Sequence, residues 1–322
     1  MIYSGNVINF KYTYTEDSKK MYRVPDEYIN ANKLQLQGDL SQFVRINPNP
    51  FQIQFLFDKN SQSEFFGIDG MVYDDYLNWI RVHANTEKGE DFRGIFGLGE
   101  KANFDFFYKD GVYSMWSRDL PTPIENGKAP GNNMYGTHPY FMYKHKSDAW
   151  IGILYNLAAA QDWHIKNDPA NGKVNIQTVA VGGVVDMYIM MGNTPDSVVT
   201  KYMTIIGNPV LVPQWALGWN QCRYGYRSTD VLRSVLAGYR NNSIPLDVMW
   251  SDIDYMKDYR NFIYDSDVAF KGLPNFISDL HNQNMRYVPI LDAGTAARPL
   301  PEDNYTAFLN GDKAGAFLKL NG

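Results

Sequence analysis

The stretch Ile244-Pro-Leu-Asp-Val-Met-Trp-Ser-Asp-Ile-Asp-Tyr-Met256 decides the fold. Its apolar run from Ile244 to Trp250 predicts a strand buried on both faces. It closes on two carboxylates, Asp252 and Asp254, with the aromatic residues Trp250 and Tyr255 beside them. A buried parallel strand that delivers acids at its C-terminal end is how a β/α barrel presents a polar site.

Working outward, Ser228 is placed to cap a helix whose apolar positions Val231, Leu232, Val235, Leu236 and Tyr239 share one face, with Asn241-Asn242 ending it. After the opening strand, Pro274 to His281 reads as a second short helix ending near Asn284. Arg286-Tyr-Val-Pro-Ile-Leu-Asp292 then reads as a second buried strand, again closing on an acid. Strand, helix and strand in that order predict a right-handed βαβ unit, of a barrel or a doubly wound sheet.

Upstream the period changes. Phe51-Gln-Ile-Gln-Phe-Leu-Phe57 alternates at period two, and similar short runs recur to about residue 190, separated by turn residues such as Asn171-Gly and Gly182-Gly. Many strands with hardly any helical period predict an antiparallel β-sandwich. The proline-rich stretch 117–133 interrupts them as a long loop, either functional or a simple connection. Thr194 as N-cap, Pro195 at the first helical position and Gly207 as stop predict a linking helix over 195–206, with Val198, Val199, Tyr202 and Ile205 buried. The expected domains are residues 1–213, a sandwich, and 214–322, the first two strands of an incomplete (β/α)8 barrel.

Composition narrows the function. The 322 residues carry a formal charge of -5 with acids and bases interspersed, which argues against nucleic acid. No apolar run approaches the ~20 residues of a membrane span. Aromatic residues make up 15% of the chain, a share that suits either β-rich packing or platforms for an amphipathic ligand such as sugar. The single cysteine, Cys222, excludes an intramolecular disulfide, and the five His residues lack metal-ligand spacing, so no metal or cofactor is expected. Gly94-Ile-Phe-Gly-Leu-Gly99 is neither a Walker loop nor a dinucleotide fingerprint. The N-terminus lacks the basic and apolar regions of a signal peptide, which implies either a cytosolic protein or a start upstream of Met1.

Six motifs stand in order: Gly97-Leu-Gly-Glu100, Trp116-Ser-Arg-Asp119, Asn133-Met-Tyr-Gly-Thr-His-Pro-Tyr140, the run from Trp215 to Tyr226, the opening stretch, and Ile290-Leu-Asp-Ala-Gly294. Together they resemble glycoside hydrolase family 31, the α-glucosidase family. Cys222-Arg-Tyr-Gly-Tyr226 and Asp252-Ile-Asp-Tyr-Met256 are most similar to the lysosomal and intestinal maltase branch. The resemblance implies a β-sandwich followed by a (β/α)8 barrel, a retaining mechanism with two carboxyls about 5–5.5 Å apart, and a secreted or lysosome-like location. It also implies that Asp252 accepts hydrogen bonds from glucose hydroxyls, that Asp119 reaches over the pocket from the proline-rich loop, and that Tyr224, Ile253 and Ile290 border the sugar. For Asp252 the plainer alternative is an acid capping the next loop; for Tyr224, Ile253 and Ile290 it is core packing. Asp254 and Asp292 are expected to act structurally.

Trp250-Ser-Asp is not the family's nucleophile motif, because Ile-Pro-Leu-Asp before it and Tyr-Met after it match the first barrel strand. The family's Trp-x-Asp-Met-Asn-Glu motif does not occur in these residues, so nucleophile and acid/base are expected beyond Gly322. Departures stand at Asp292-Ala-Gly-Thr295, Ile263 and Ala159-Ala-Gln-Asp162. The reading is therefore a truncated α-glucosidase, inactive alone, with an oligosaccharide as its partner and with open strand edges that favour self-association. A non-catalytic carbohydrate-binding or regulatory protein is the alternative, and a sandwich epimerase or lectin with an unrelated appendage a third.

Overall fold

The computed structural model describes residues 2–4, 6–12, 24, 29, 40–58, 60, 63–73, 77–101, 106–117, 133–297 and 305–318. The chain divides into two compact units, Met1–Pro209 and Val210–Gly322.

The first unit holds two sheets whose recorded strand pairs are all antiparallel. One runs in the order β1 (Ile2–Ser4), β2 (Val7–Tyr12), β13 (Val185–Gly192), β10 (Trp150–Tyr155), β9 (Tyr140–Lys144), β7 (Phe96–Gly97). The other runs β3 (Val44–Pro48), β4 (Phe51–Leu56), β5 (Glu64–Tyr73), β6 (Asn78–Asn85), β12 (Lys173–Ala180), β11 (Gln161–Asp168), β8 (Gly111–Met115). Alternation does the sorting: along β11, Trp163 and Ile165 are buried while Asp162, His164 and Lys166 are exposed. One core collects inward residues of both sheets, with Phe141 of β9 edge-on to Trp163 of β11 at 5.8 Å. Trp163 donates its indole N–H to Gln161 Oε1 at 3.0 Å, so the ring is buried without an orphaned donor.

Strand β5 is the long strand that sequence reading passes over, because Gly67, Asp69 and Gly70 break its alternation and its register shifts between Ile68 and Gly70. The reason for Gly67 is steric. A Cβ there would stand 2.4 Å from the His83 ring and 2.4 Å from Glu64. His83 is buried and held between two acids, Nδ1 to Asp69 at 2.7 Å and Nε2 to Glu64 at 3.3 Å. Burial alone would lower the imidazole pKa, but the bonds to Asp69 and Glu64 outweigh it and raise it to about 9. Burial likewise works against ionised Asp69, yet His83, Gln52 and Arg81 hold its carboxyl below the usual range.

Helix α1 (Pro195–Ile206) starts at Thr194, which accepts from Ser197 N, and Gly207 ends it, as the sequence predicts. Val198 and Ile205 are fully buried beside Val7, Leu154, Tyr188 and Met190. Val199, expected on that face, is instead exposed, because the contact stripe is narrower than the apolar one. The helix lies close to β10 because Gly152 has no side chain: a Cβ there would meet Val198 at 2.4 Å. Of the loop expected over 117–133, residues 118–132 lie outside the described residues.

In the second unit β14 (Asn220–Gln221), β15 (Val248–Ser251) and β16 (Arg286–Pro289) form a parallel sheet in that order. Helices α2 (Thr229–Asn241) and α3 (Leu273–His281) supply Leu232, Leu236, Phe276 and Leu280 to a core with Met249 and Phe270. A further helix, α4 (Thr306–Lys313), follows. Ser228 caps α2 by accepting from Val231 N, while Val231 itself is exposed. Two expectations need correction. The opening stretch is strand only from Val248, and Ile244 is half exposed, since Pro245 has no N–H and the first ladder bonds are Asp247 N and Val248 N to Trp219 O. The second strand stops at Pro289 rather than Asp292 and is only partly buried, because it pairs on one side alone.

The His83 cluster yields a pH prediction. An imidazole whose folded pKa lies above its unfolded value of about 6.5 stabilises the fold fully below that value and loses its contribution as pH rises through about 9. Melting temperature should fall between pH 6.5 and 9.5, and His83→Gln should flatten that slope; an unchanged slope in the variant refutes the assignment.

Candidate functional site

The parallel register sets the site. Val248 pairs with Arg286 and Ser251 with Pro289, so the next residues, Asp252 and Ile290, leave the sheet side by side. Ile290 N donates to Ser251 O at 3.0 Å and extends the pairing one step. There the chain of β15 turns. Asp252 caps a one-turn 3-10 helix, Ile253–Tyr255, its Oδ1 accepting from Ile253 N at 2.7 Å. Asp252 is half-buried, and no described residue takes its other oxygen.

Asp254 behaves differently. Its side chain is 2% exposed, Oδ2 accepts from Gly225 N at 2.7 Å, and Arg227 Nε lies 4.0 Å from Oδ1. A carboxylate so committed fixes the loop that carries Tyr224 rather than serving a ligand. Cys222 of the same loop registers both acids: partial burial, then the charges of Asp252 and Asp254, push its thiol pKa up. Tyr224 is mostly exposed, and hydrogen bonding to Tyr259 pushes its phenol pKa up. Tyr255 donates its hydroxyl to Ile290 O at 2.8 Å, tying the turn after β15 to the end of β16.

The residues expected at a ligand site fall out as follows. Tyr224, Asp252, Ile253 and Ile290 all sit at the C-terminal end of the three strands or in the segments that follow them. Ile253 and Ile290 also pack against the unit's core while remaining half-buried. Asp119 lies outside the described residues. Sequence reading missed Asn261, which is buried and donates from Nδ2 to Asp292 O at 2.8 Å and Gly294 O at 2.7 Å, while Oδ1 accepts from Asp292 N at 3.1 Å. Three bonds from one amide shape the loop after β16. Arg260 beside it is buried with its guanidinium over the Tyr305 ring at 5.4 Å. The sequence carries no local signal for Asn261, because its partners lie about thirty residues away.

Chemically, the arrangement offers one open carboxylate with half-buried aliphatic groups beside it and an exposed tyrosine on the loop after β14. Such a surface accepts hydrogen bonds from hydroxyls and packs the apolar face of a ring. Among the described residues no group of His, Cys, Asp and Glu could hold a metal ion, and no helix is long and apolar enough to cross a membrane.

Comparison with known proteins agrees across sequence and structure. The family models for the glycosyl hydrolase 31 N-terminal galactose mutarotase-like domain and the glycosyl hydrolases family 31 TIM-barrel domain match residues 3–163 and 209–322. Intestinal sucrase-isomaltase of Homo sapiens is 33% identical over 88% of the chain and 15% of that protein. Glucoamylase 1 of Candida albicans is 31% identical over 94% of the chain and 32% of that protein, and lysosomal alpha-glucosidase of Mus musculus 31% over 70% and 22%. The chain thus spans no more than about a third of these relatives. Among solved structures, the Flavobacterium johnsoniae dextranase bound to isomaltotriose superposes with TM-score 0.74 at 22% identity, over 97% of the chain and 37% of the dextranase. The glucosidase II alpha subunit gives 0.72 at 18%, over 87% and 34%. These two likenesses speak to the fold.

Asn261→Ala should destabilise the second unit by about 1–3 kcal/mol, because it removes the three hydrogen bonds by which a buried amide holds the exposed 292–294 loop. Urea unfolding followed by tryptophan fluorescence measures this, and a change below about 0.5 kcal/mol contradicts the role given to the amide.

Proposed function

The chain belongs to glycosyl hydrolase family 31, and from that premise we propose that it carries the sugar-recognition half of an α-glucosidase. On this reading residues 1–213 form the family's β-sandwich, residues 214–322 open its (β/α)8 barrel, and the full-length form removes terminal non-reducing α-linked glucose from maltose-like oligosaccharides. The reaction is a retaining double displacement: one carboxylate attacks the anomeric carbon, while a second carboxyl protonates the leaving oxygen and later activates water. Those two carboxyls belong to later strands. This chain's part is to seat the glucose.

The observation that carries the reading is the contrast between the two acids after β15. Asp252 keeps one oxygen free of described partners, whereas Asp254 is buried and accepts from Gly225 N. One free carboxylate recognises a sugar; breaking the glycosidic bond takes two. A charged acceptor makes the stronger bond to a hydroxyl, so Asp252 contributes to affinity as well as orientation. Tyr224, Ile253 and Ile290 border the ring.

Calorimetric titration of the chain with a glucose-configured iminosugar tests this. Asp252→Asn should weaken binding at least about tenfold, the worth of a charged hydrogen bond, with thermal stability unchanged because the amide oxygen still caps Ile253. Equal affinity in the two proteins would remove Asp252 from the site. The chain alone should release no nitrophenol from 4-nitrophenyl α-glucoside; turnover above blank contradicts the placement of the catalytic pair.

A further inference from the structure

In the first unit, the outer face of the seven-stranded sheet carries an amphipathic arrangement of its own. Cross-strand register aligns Ser114 of β8 with Asp162 of β11, and Asp162 with Val179 of β12. One step on along the same faces stand Trp116, Ala160 and Val181, since alternate residues share a side of the sheet. The neighbours between them, Met115, Gln161 and Ala180, are buried, so this second set points outward. Together the outward residues line a cavity of about 150 Å³. Trp116 is 67% exposed, a large ring left in solvent at the rim, and Val181 beside it is 71% exposed.

The polar groups are placed to complement the rings. Ser114 Oγ donates to Asp162 Oδ1, which orients the carboxylate, and no described residue donates to Oδ2. The indole N–H of Trp116 likewise has no partner among the described residues. An exposed indole face, apolar side walls and an oriented carboxylate within one shallow cavity match a pyranose ring. Its C–H face stacks on an aromatic plane, and its edge hydroxyls donate to a carboxylate. A wholly apolar occupant would leave Asp162 facing it unsatisfied, and an anionic one would be repelled.

We propose that this cavity is an accessory saccharide site, taking one hexose unit of an oligosaccharide through Trp116 and Asp162. The inference rests on the reading above for the class of ligand and is independent of Asp252. Its role would be to hold a glucan chain on the first unit, raising the local concentration of chain ends.

The test is titration of the intact 322-residue chain with maltotriose in four forms: unchanged, Trp116→Ala, Asp162→Asn and Asp252→Asn. The expected result is a binding component that survives Asp252→Asn and weakens at least about tenfold in Trp116→Ala and in Asp162→Asn. Trp116→Phe, which keeps a ring, should restore most of it. Three results overturn the inference: loss of all binding in Asp252→Asn, unaltered titrations in the Trp116 and Asp162 variants, or no binding by any form. The first of these leaves the proposed function standing. If the Trp116 and Asp162 variants alone lose all binding, the accessory site stands and the role of Asp252 falls.

Discussion

The parallel pairing of β14, β15 and β16 is the constraint on which the second unit depends. Four residue pairs between β15 and β16, extended by Ile290 N to Ser251 O, decide where both chains leave the sheet. Every candidate group in that unit is positioned by what happens next. Asp252 caps the turn after β15, Tyr255 reaches to Ile290 O, and Asp254 pins Gly225 of the loop after β14. A one-residue slip in a parallel ladder would turn Asp252 toward the opposite face and part Tyr255 from its acceptor.

Division of labour between two acids follows from backbone geometry more than from residue type. Asp252 and Asp254 are chemically identical and two residues apart. In an extended strand they would share a face. The 3-10 turn that starts at Ile253 separates them, leaving one half open and driving the other into a loop interior. Buried carboxylates persist only when bonded, and the Gly225 N–H meets that requirement for Asp254. In the first unit the same rule operates on His83, which stays buried because Asp69 and Glu64 flank it.

The family and the order of elements were legible because strand alternation, helix caps and motif spacing are local. Thr194, Ser228 and Gly207 each stand where their cap chemistry predicts. Strand length was not legible, since the ladder's reach depends on partners: Ile244 looks like strand yet stays half exposed, and the apolar pattern of Arg286 to Asp292 outruns the paired segment. Strand β5 hides behind its glycines, and the purpose of Gly67, room for the His83 ring, exists only in three dimensions. Asn261 is invisible for the same reason, its partners lying about thirty residues away. The candidates Tyr224, Asp252, Ile253 and Ile290 come from motifs alone, but which oxygen of which acid is free depends on the fold.

The central claim is that Asp252 holds sugar while cleavage belongs elsewhere, and a crystal structure of this chain soaked in maltose tests it most directly. The account predicts glucose hydroxyls within hydrogen-bonding distance of the Asp252 carboxylate, with the bond from Ile253 N kept, Asp254 untouched and the glycosidic bond intact. Sugar bound only elsewhere, or seated on Asp254 with the Gly225 bond broken, would contradict it.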